Sequence, residues 1–330
     1  MGESSKIEWT DASWTPIRAR LVKIQNDGSG KERIGWHCEH VSEGCRNCYA
    51  ERLNLRLGTG EPFKPGVLRG KEGYAGGGID RPKLFLDEKM LGAPFRWKRP
   101  RMIFVCSMTD LFADFVPDAW LHRLFTVMSM THQHIYQILT KRPARMREMM
   151  PRIAASPLPN VWLGTSVEDQ ATADQRIPEL LATPAAIRFI SYEPALGPVD
   201  LSQHLGIAPD HDDLHGLLNW IIAGGESGPG ARPAHPNWFR SVRDQCAAAG
   251  VPFHFKQNGE WVEVDGPRCR SIDQGAALTG HWMLPNGTLL KRDEASNRRH
   301  SPYSTSVMAR VGKKRAGRLL DGVEHNGFPA

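Results

Sequence analysis

Long apolar runs, a disulfide framework and the familiar catalytic signatures are all lacking in this sequence of 330 residues. No apolar stretch approaches the roughly 20 residues needed to span a bilayer, and the opening MGESSKIEWTDASW carries no apolar signal-peptide core. A cytoplasmic chain with no membrane partner is the expectation. No H-E-x-x-H, G-x-S-x-G or Ser-His-Asp order is present, so hydrolase chemistry of those types has no support. The glycine-rich AGGESGPGARP (223–233) has neither the G-x-G-x-x-G order of a dinucleotide turn nor the G-K-S/T ending of a P-loop. Disorder and fibrous structure are disfavoured by ordinary values of 40% hydrophobic and 24% charged residues.

Cysteine is scarce, and its placement is uneven. Three of the six cysteines crowd into residues 38–48, whereas Cys106, Cys246 and Cys269 stand singly. In a reducing compartment such clustering points to metal or redox chemistry, not to structural disulfides. The formal net charge of +6 and the pI near 9.0 favour an anionic partner, although much of the excess lies in the last forty residues.

From residue 102 onward one pattern recurs: a short β-branched or aromatic run, a polar tip, then an amphipathic segment. The runs are MIFVCS (102–107), IYQILT (135–140), VWLGTS (161–166), IRFIS (187–191), WIIAGG (220–225) and PFHFK (252–256). Each is apolar on both faces, as parallel strands covered by helices are. Helices are expected at VPDAWLHRLFTVMSM (116–130), VEDQATADQRIPELLA (167–182) and HPNWFRSVRDQCAAAG (235–250). Pro117 suits a helix start, acidic residues suit a first turn, and Gly250 suits a stop.

This alternation predicts an α/β fold, a partial (open) βα barrel, TIM-barrel-like, of about six parallel strands, with room for a seventh before or around the cysteine loop. RLVKIQNDGSGKERIGWHC (20–38) reads as a hairpin turning on Asn-Asp-Gly-Ser-Gly. Residues 58–96 read as a long loop over the top. The implied division is an N-terminal segment, 1–57, holding the hairpin and the cysteine loop; a Gly/Pro-rich loop region, 58–101; the βα barrel, 102–261; and a basic C-terminal extension, 262–330. The extension is either a cover on the barrel or a flexible arm.

HCEHVSEGCRNCYAERLNLRLG (37–58) sets Cys38, Cys45 and Cys48 at C-x6-C-x2-C spacing, just before a helix starting near Tyr49. Two cysteines two residues apart grip a metal or a cluster edge from a tight turn, and the third closes from a short loop. The amides at the helix start help to hold thiolate charge. Three thiolates leave one coordination position open, which in a 4Fe–4S cluster is where an external ligand binds. Zinc is the alternative, because His40 could close a Cys3His site. Spacing leaves cluster and zinc level; a barrel whose strand tips are polar tilts the choice to the cluster.

Those tips are SMTD (107–110), TKR (140–142), SVED (166–169), SYEP (191–194), GGESG (224–228) and KQNGE (256–260). They would bring Asp110, Lys141, Arg142, Glu168, Glu193, Glu226 and Lys256 to one rim. For any one of these a salt bridge or a helix cap is the simpler reading, and Glu168 and Asp169 suit a helix N-terminus. Six charged tips together fit a pocket for a zwitterionic or phosphorylated ligand. Gly224 and Gly225 either let the backbone approach a ligand or form a plain turn. Cys106 and Cys246 read as core residues of a strand and a helix.

The succession EWTDASWTP, VSEGCRNCYAER, IFVCSMTDLF, LTKRP, VWLGTSVEDQ, SYEPALGP, IIAGGESGPGARP and FKQNGEW resembles a phage- and prophage-associated family of three-cysteine-motif proteins. The likeness covers nearly the whole chain and is sharpest from Cys45 to Arg52. The hairpin around Asn26–Lys31 interrupts the family's direct run from tryptophan to cysteine. The family is similar to radical S-adenosylmethionine enzymes, although those have three residues between the first two cysteines and an aromatic residue where Asn47 stands. The resemblance implies a 4Fe–4S cluster on Cys38, Cys45 and Cys48 whose free iron binds S-adenosylmethionine, cleaved by one electron to an adenosyl radical. Tyr49, Asp110, Lys141, Glu168, Gly224 and Gly225 are then expected on the cofactor side, with Glu193, Glu226 and Lys256 facing the substrate. DNA or RNA is a credible substrate, and a protein partner is compatible with the same setting. The competing expectation is a zinc-stabilised nucleic-acid-binding or repair protein, motivated by Lys313, Lys314, Arg315 and Arg318 in the basic tail.

Overall fold

The β-branched and aromatic runs become strands because each can be buried on both faces. In the computed structural model, which describes residues 5, 7–24, 27–64, 81–206, 217–264, 281–290 and 306–329, the runs appear as β5 (Met102–Val105), β6 (Ile135–Thr140), β7 (Val161–Val167), β8 (Ile187–Tyr192), β9 (Trp220–Gly224) and β10 (Phe253–Gln257). Every residue of β7 and of β9 is buried. A seventh strand, β1 (Ala12–Trp14), pairs in parallel with β5, Ala12 opposite Ile103. The strand order is β1-β5-β6-β7-β8-β9-β10. Each strand is added beside its predecessor without a switch point, which is the topology of an open, partial βα barrel.

The three expected helices are present as α3 (Asp118–Met130), α5 (Gln170–Leu181) and α6 (Pro236–Ala249). In α3, Leu121, Leu124, Phe125 and Met128 recur on one buried face. In α6, the His235 ring accepts from Asn237 N, Pro236 occupies the first turn, and Gly250 closes the helix at φ 67°. A further helix, α4 (Pro143–Ile153), buries Met146, Met149 and Met150.

The chain divides into two compact units. The first, Met1–Thr165 with Glu179–Arg188, contains the hairpin of β2 (Ile17–Ile24) and β3 (Gly30–Gly35), with Ala19 opposite Gly35. Part of the expected long loop is ordered structure here. β4 (Lys83–Leu86) pairs antiparallel with β2, and a helical turn follows at Glu88–Leu91. Leu84 is buried against this sheet, and this anchor makes a strand of what composition alone renders as loop. Residues 65–80 of that loop lie outside the described residues.

The second unit, Ser166–Pro178 with Phe189–Ala330, adds an antiparallel sheet in the order β11 (Trp261–Glu263), β14 (Ser306–Arg310), β12 (His281–Met283) and β13 (Leu289–Leu290). Within the described residues the C-terminal extension is a cover. Phe255 N donates to His325 O (2.9 Å), Gly327 N to Phe253 O (2.9 Å) and Trp220 Nε1 to Gly327 O (2.7 Å), so the last residues satisfy the outer edge of β10.

That cover seals His254, which is 1% exposed, with the rings of Trp220 and Phe328 beside it and, among the described residues, no hydrogen-bond partner on either nitrogen. Burial, then the charges of Arg318 and Lys256, push its pKa down to about 4. The unfolded chain therefore takes up the proton first as pH falls. The native state is unaffected by this group above about pH 6.5 and loses stability from there down to about pH 4. Urea unfolding at pH 7 and pH 5 is expected to differ by about 2 kcal/mol from this histidine, a part absent in His254→Leu. An acid limb of equal size in the variant would show that His254 does not carry it.

Candidate functional site

The three-cysteine loop is fastened at both ends to the tip of β5, all within the first unit. Its entry is set by Asn54, fully buried in α1 (Tyr49–Leu57), whose Oδ1 accepts from Trp36 N (2.9 Å) and Thr59 N (3.2 Å). A Cβ on Gly35 would lie 2.3 Å from Thr59 N, so only glycine lets the end of the hairpin pass this close. Thr109 Oγ1 donates to His37 O (2.6 Å), and Tyr49 OH donates to Ser107 O (2.5 Å). Tyr49 thus belongs to the site by its hydroxyl, with the ring half exposed.

Between these anchors Cys45 ends a short 3-10 turn, Glu43–Cys45, and Cys48 is the N-cap of α1. Cys38 and Cys48 both pack on a cluster of Ala50, Phe63 and Met108. Burial, then the Asp110 carboxylate, push the Cys38 thiol up to about 12, with Arg142 pulling the other way and the thiols of Cys48 and Cys45 adding to the rise. Burial also raises Cys48, opposed by the backbone amides of Glu51 and Ala50 at the start of α1. Such thiols stay protonated near neutral pH unless a cation compensates them. Raised thiols of this kind are poor free nucleophiles.

Asp110 holds the second half of the site. Its Oδ1 accepts from Phe112 N (3.0 Å) and Thr140 Oγ1 (2.6 Å), and its Oδ2 from Lys141 N (3.0 Å) and Arg142 Nη1 (3.2 Å). Arg142 reaches on to Glu39 in the cysteine loop at 3.8 Å. Lys141 therefore enters through its backbone amide. Arg142 was expected on the rim, and the bridge it makes from strand tip to cysteine loop could not be read from sequence because Glu39 lies 103 residues away.

Cys106 is buried in the core, as expected, but one residue past the strand. It sits just beyond β5 at φ 55°, a conformation unusual for a residue other than Gly, Asn or Asp. Its thiol is buried and raised by burial, then by the charges of Asp110 and Cys38. It is a fourth thiol beside the loop. No signal in the sequence marks it, since cysteine has no preference for this region of backbone space.

Among the described residues no three His, Cys, Asp or Glu side chains gather closely enough to hold one metal ion. His40, the ligand that would complete Cys3His, is paired through Nε2 with Glu51 Oε2 at 3.0 Å.

In the second unit the charged tips are partnered. Glu168, 1% exposed, takes Arg176 Nη1 on both oxygens (3.2 and 3.1 Å), and Asp169 Oδ1 accepts from Thr172 N (2.9 Å) at the start of α5. Glu193, before a cis peptide to Pro194, receives Lys256 Nζ on both oxygens at 2.9 Å and Gln257 Nε2 at 3.0 Å. Glu226 receives Arg232 N (2.8 Å), Nε (2.9 Å) and Nη2 (2.7 Å). A Cβ on Gly225 would meet Asn258 O at 2.2 Å, and one on Gly224 would lie 3.3 Å from Glu193 Cδ. Gly225 thus serves the close approach of the loops that follow β9 and β10.

The class defined by this fold and site is an open βα barrel with a three-cysteine loop tied to its first strand tips. Residues 33–329 match the model of a family described as "Protein of unknown function (DUF5131)", and the chain belongs to that family. No curated protein and no solved structure matches the chain.

Proposed function

We propose that this protein is an iron–sulfur enzyme of the radical S-adenosylmethionine type, of phage origin, with nucleic acid as its substrate class. The observation that carries the reading is the anchoring of Cys38, Cys45 and Cys48 to the tip of β5 beside the buried Asp110–Arg142 pair. The three cysteines would hold the cluster, which supplies reductive cleavage of the sulfonium when S-adenosylmethionine is bound. Arg142 and the amides opening α1 temper the negative charge of the thiolates, and Ala50, Phe63 and Met108 keep water from them. Tyr49 and Asp110 supply a hydroxyl and a carboxylate suited to a zwitterion, and Lys141 orients that carboxylate through its backbone amide. Glu168, Gly224 and Gly225 serve by shaping their strand tips, and Glu193, Glu226 and Lys256 offer paired charges to the substrate.

Anaerobic purification with iron and sulfide is expected to give a brown protein with charge-transfer absorbance and about four irons per chain. Addition of reductant and S-adenosylmethionine is then expected to release deoxyadenosine. A colourless protein holding one stoichiometric zinc would overturn the reading in favour of a zinc-stabilised nucleic-acid-binding protein.

A further inference from the structure

The basic C-terminal extension is not one uniform patch. Arg318 is used internally: it pairs with Glu324 (3.4 Å) and bonds Asn326 and the Phe255 carbonyl. Arg310, Lys313, Lys314 and Arg315 are instead exposed.

Their position is fixed by the loops that follow β9 and β10, within the second unit. Asn258 Nδ2 donates to the carbonyls of Ala316 (3.0 Å), Gly317 (3.4 Å) and Leu319 (3.2 Å), and Asn258 N donates to Gly317 O (3.0 Å). Val311 N and Gly312 N both donate to Glu260 O, at 2.9 and 3.0 Å. Arg310 Nη2 donates to Gly228 O (3.0 Å) and Trp261 Nε1 to Ala231 O (2.7 Å), so both side chains reach the glycine-rich tip. The turn Lys313–Ala316 is therefore lashed to the C-terminal ends of barrel strands, where βα barrels place their sites.

Two rings stand on the sheet that carries Arg310. Trp261 lies directly opposite Arg310 in the β11–β14 pair, and its ring meets the exposed His281 edge-on at 5.2 Å. Cations held on a rigid turn next to aromatic rings match a phosphate backbone with bases that can stack.

We infer that Arg310, Lys313, Lys314 and Arg315, with Trp261 and His281, form a contact surface for single-stranded nucleic acid at the tips of β9 and β10. The inference deepens the nucleic-acid part of the proposed function and rests on it; Asn258 and Glu260 are positioning residues for the surface.

The test uses the full chain and fluorescence anisotropy with a labelled oligothymidylate of about 20 nucleotides. The triple variant Lys313→Glu, Lys314→Glu, Arg315→Glu is expected to lose at least about tenfold in affinity and to flatten the log–log salt dependence by about 2. His281→Ala is expected to lose about fivefold. Lys89, Lys98 and Arg99, exposed in the first unit, provide a control with the same charge change. Reversing them should leave affinity within about twofold. An equal loss in both triples would reduce the effect to net charge and overturn the proposal. So would unchanged affinity in the first triple, or tighter binding of phosphatidylserine vesicles or polyglutamate than of the oligonucleotide. Iron content and deoxyadenosine release are measured on the same variants. Loss of binding in the first triple with both intact supports the surface independently of the radical chemistry, whereas absence of both in the unmodified chain condemns the radical-enzyme reading and leaves the binding result standing.

Discussion

Replacing Glu168 by alanine is expected to destabilise the protein by about 3–5 kcal/mol, because it strands a buried guanidinium. Arg176 is 4% exposed, and its Nη1 serves both Glu168 oxygens and the Ser166 carbonyl (2.8 Å). Among the described residues, removing the carboxylate leaves that buried charge with the Ser166 carbonyl, at the full desolvation cost of a lost partner. Replacing both residues by apolar side chains of similar volume should recover most of the loss, since the pair and its desolvation cost then vanish together. Urea unfolding of Glu168→Ala and of the double variant Glu168→Leu, Arg176→Met measures both arms. A single variant as stable as the parent would place Glu168 outside the scaffold and return it to a purely ligand-binding role.

Asp110→Ala is expected to cost a similar amount, about 3–5 kcal/mol, and to remove cluster loading with it. Four donors lose their acceptor at once: Phe112 N, Thr140 Oγ1, Lys141 N and Arg142 Nη1. Arg142 then keeps Glu39 at 3.8 Å and the charge of Asp114, and the bridge from strand tip to cysteine loop is weakened beside Cys38. Asp110→Asn keeps two acceptor positions while removing the charge, so its loss should be smaller. The readouts are urea unfolding and iron content after anaerobic reconstitution. Full iron loading in Asp110→Ala at unchanged stability would remove Asp110 from any role in shaping the cysteine loop.

The contrast between the units lies in what these carboxylates do. Glu168 is consumed by a partner eight residues along the same chain segment, as a structural pair is. Asp110 is shared between β5, β6 and a loop that carries three thiols. Charge at a strand tip is the common feature from which both were expected in a site, and only the partners separate them.

Patterns that depend on near neighbours were legible in the sequence. The six strand runs, the helices α3, α5 and α6, the Gly250 stop and the β2–β3 hairpin all follow from periodicity, caps and turn residues, which act over a few positions. Helix α4 carries its own local signals, Pro143 at its start and methionines at 146, 149 and 150 on its buried face. Strand β1 has three residues, too few for a period, and exists because Ala12–Trp14 lies along β5.

The cysteine spacing, the charged tips and the basic tail were thus determined by sequence alone, since each is a matter of residue type and local order. The tertiary structure decided everything that depends on pairing across distance. It tied the cysteine loop to β5 through Thr109 and Tyr49, joined Arg142 to Glu39, gave Glu168, Glu193 and Glu226 their internal partners, and placed Cys106 at a positive φ beside the loop. The physical reason is that a charge or a thiol gains its meaning from the few ångströms around it. Those neighbours arrive from segments tens of residues away, brought there by burial of the strands and helices that carry them.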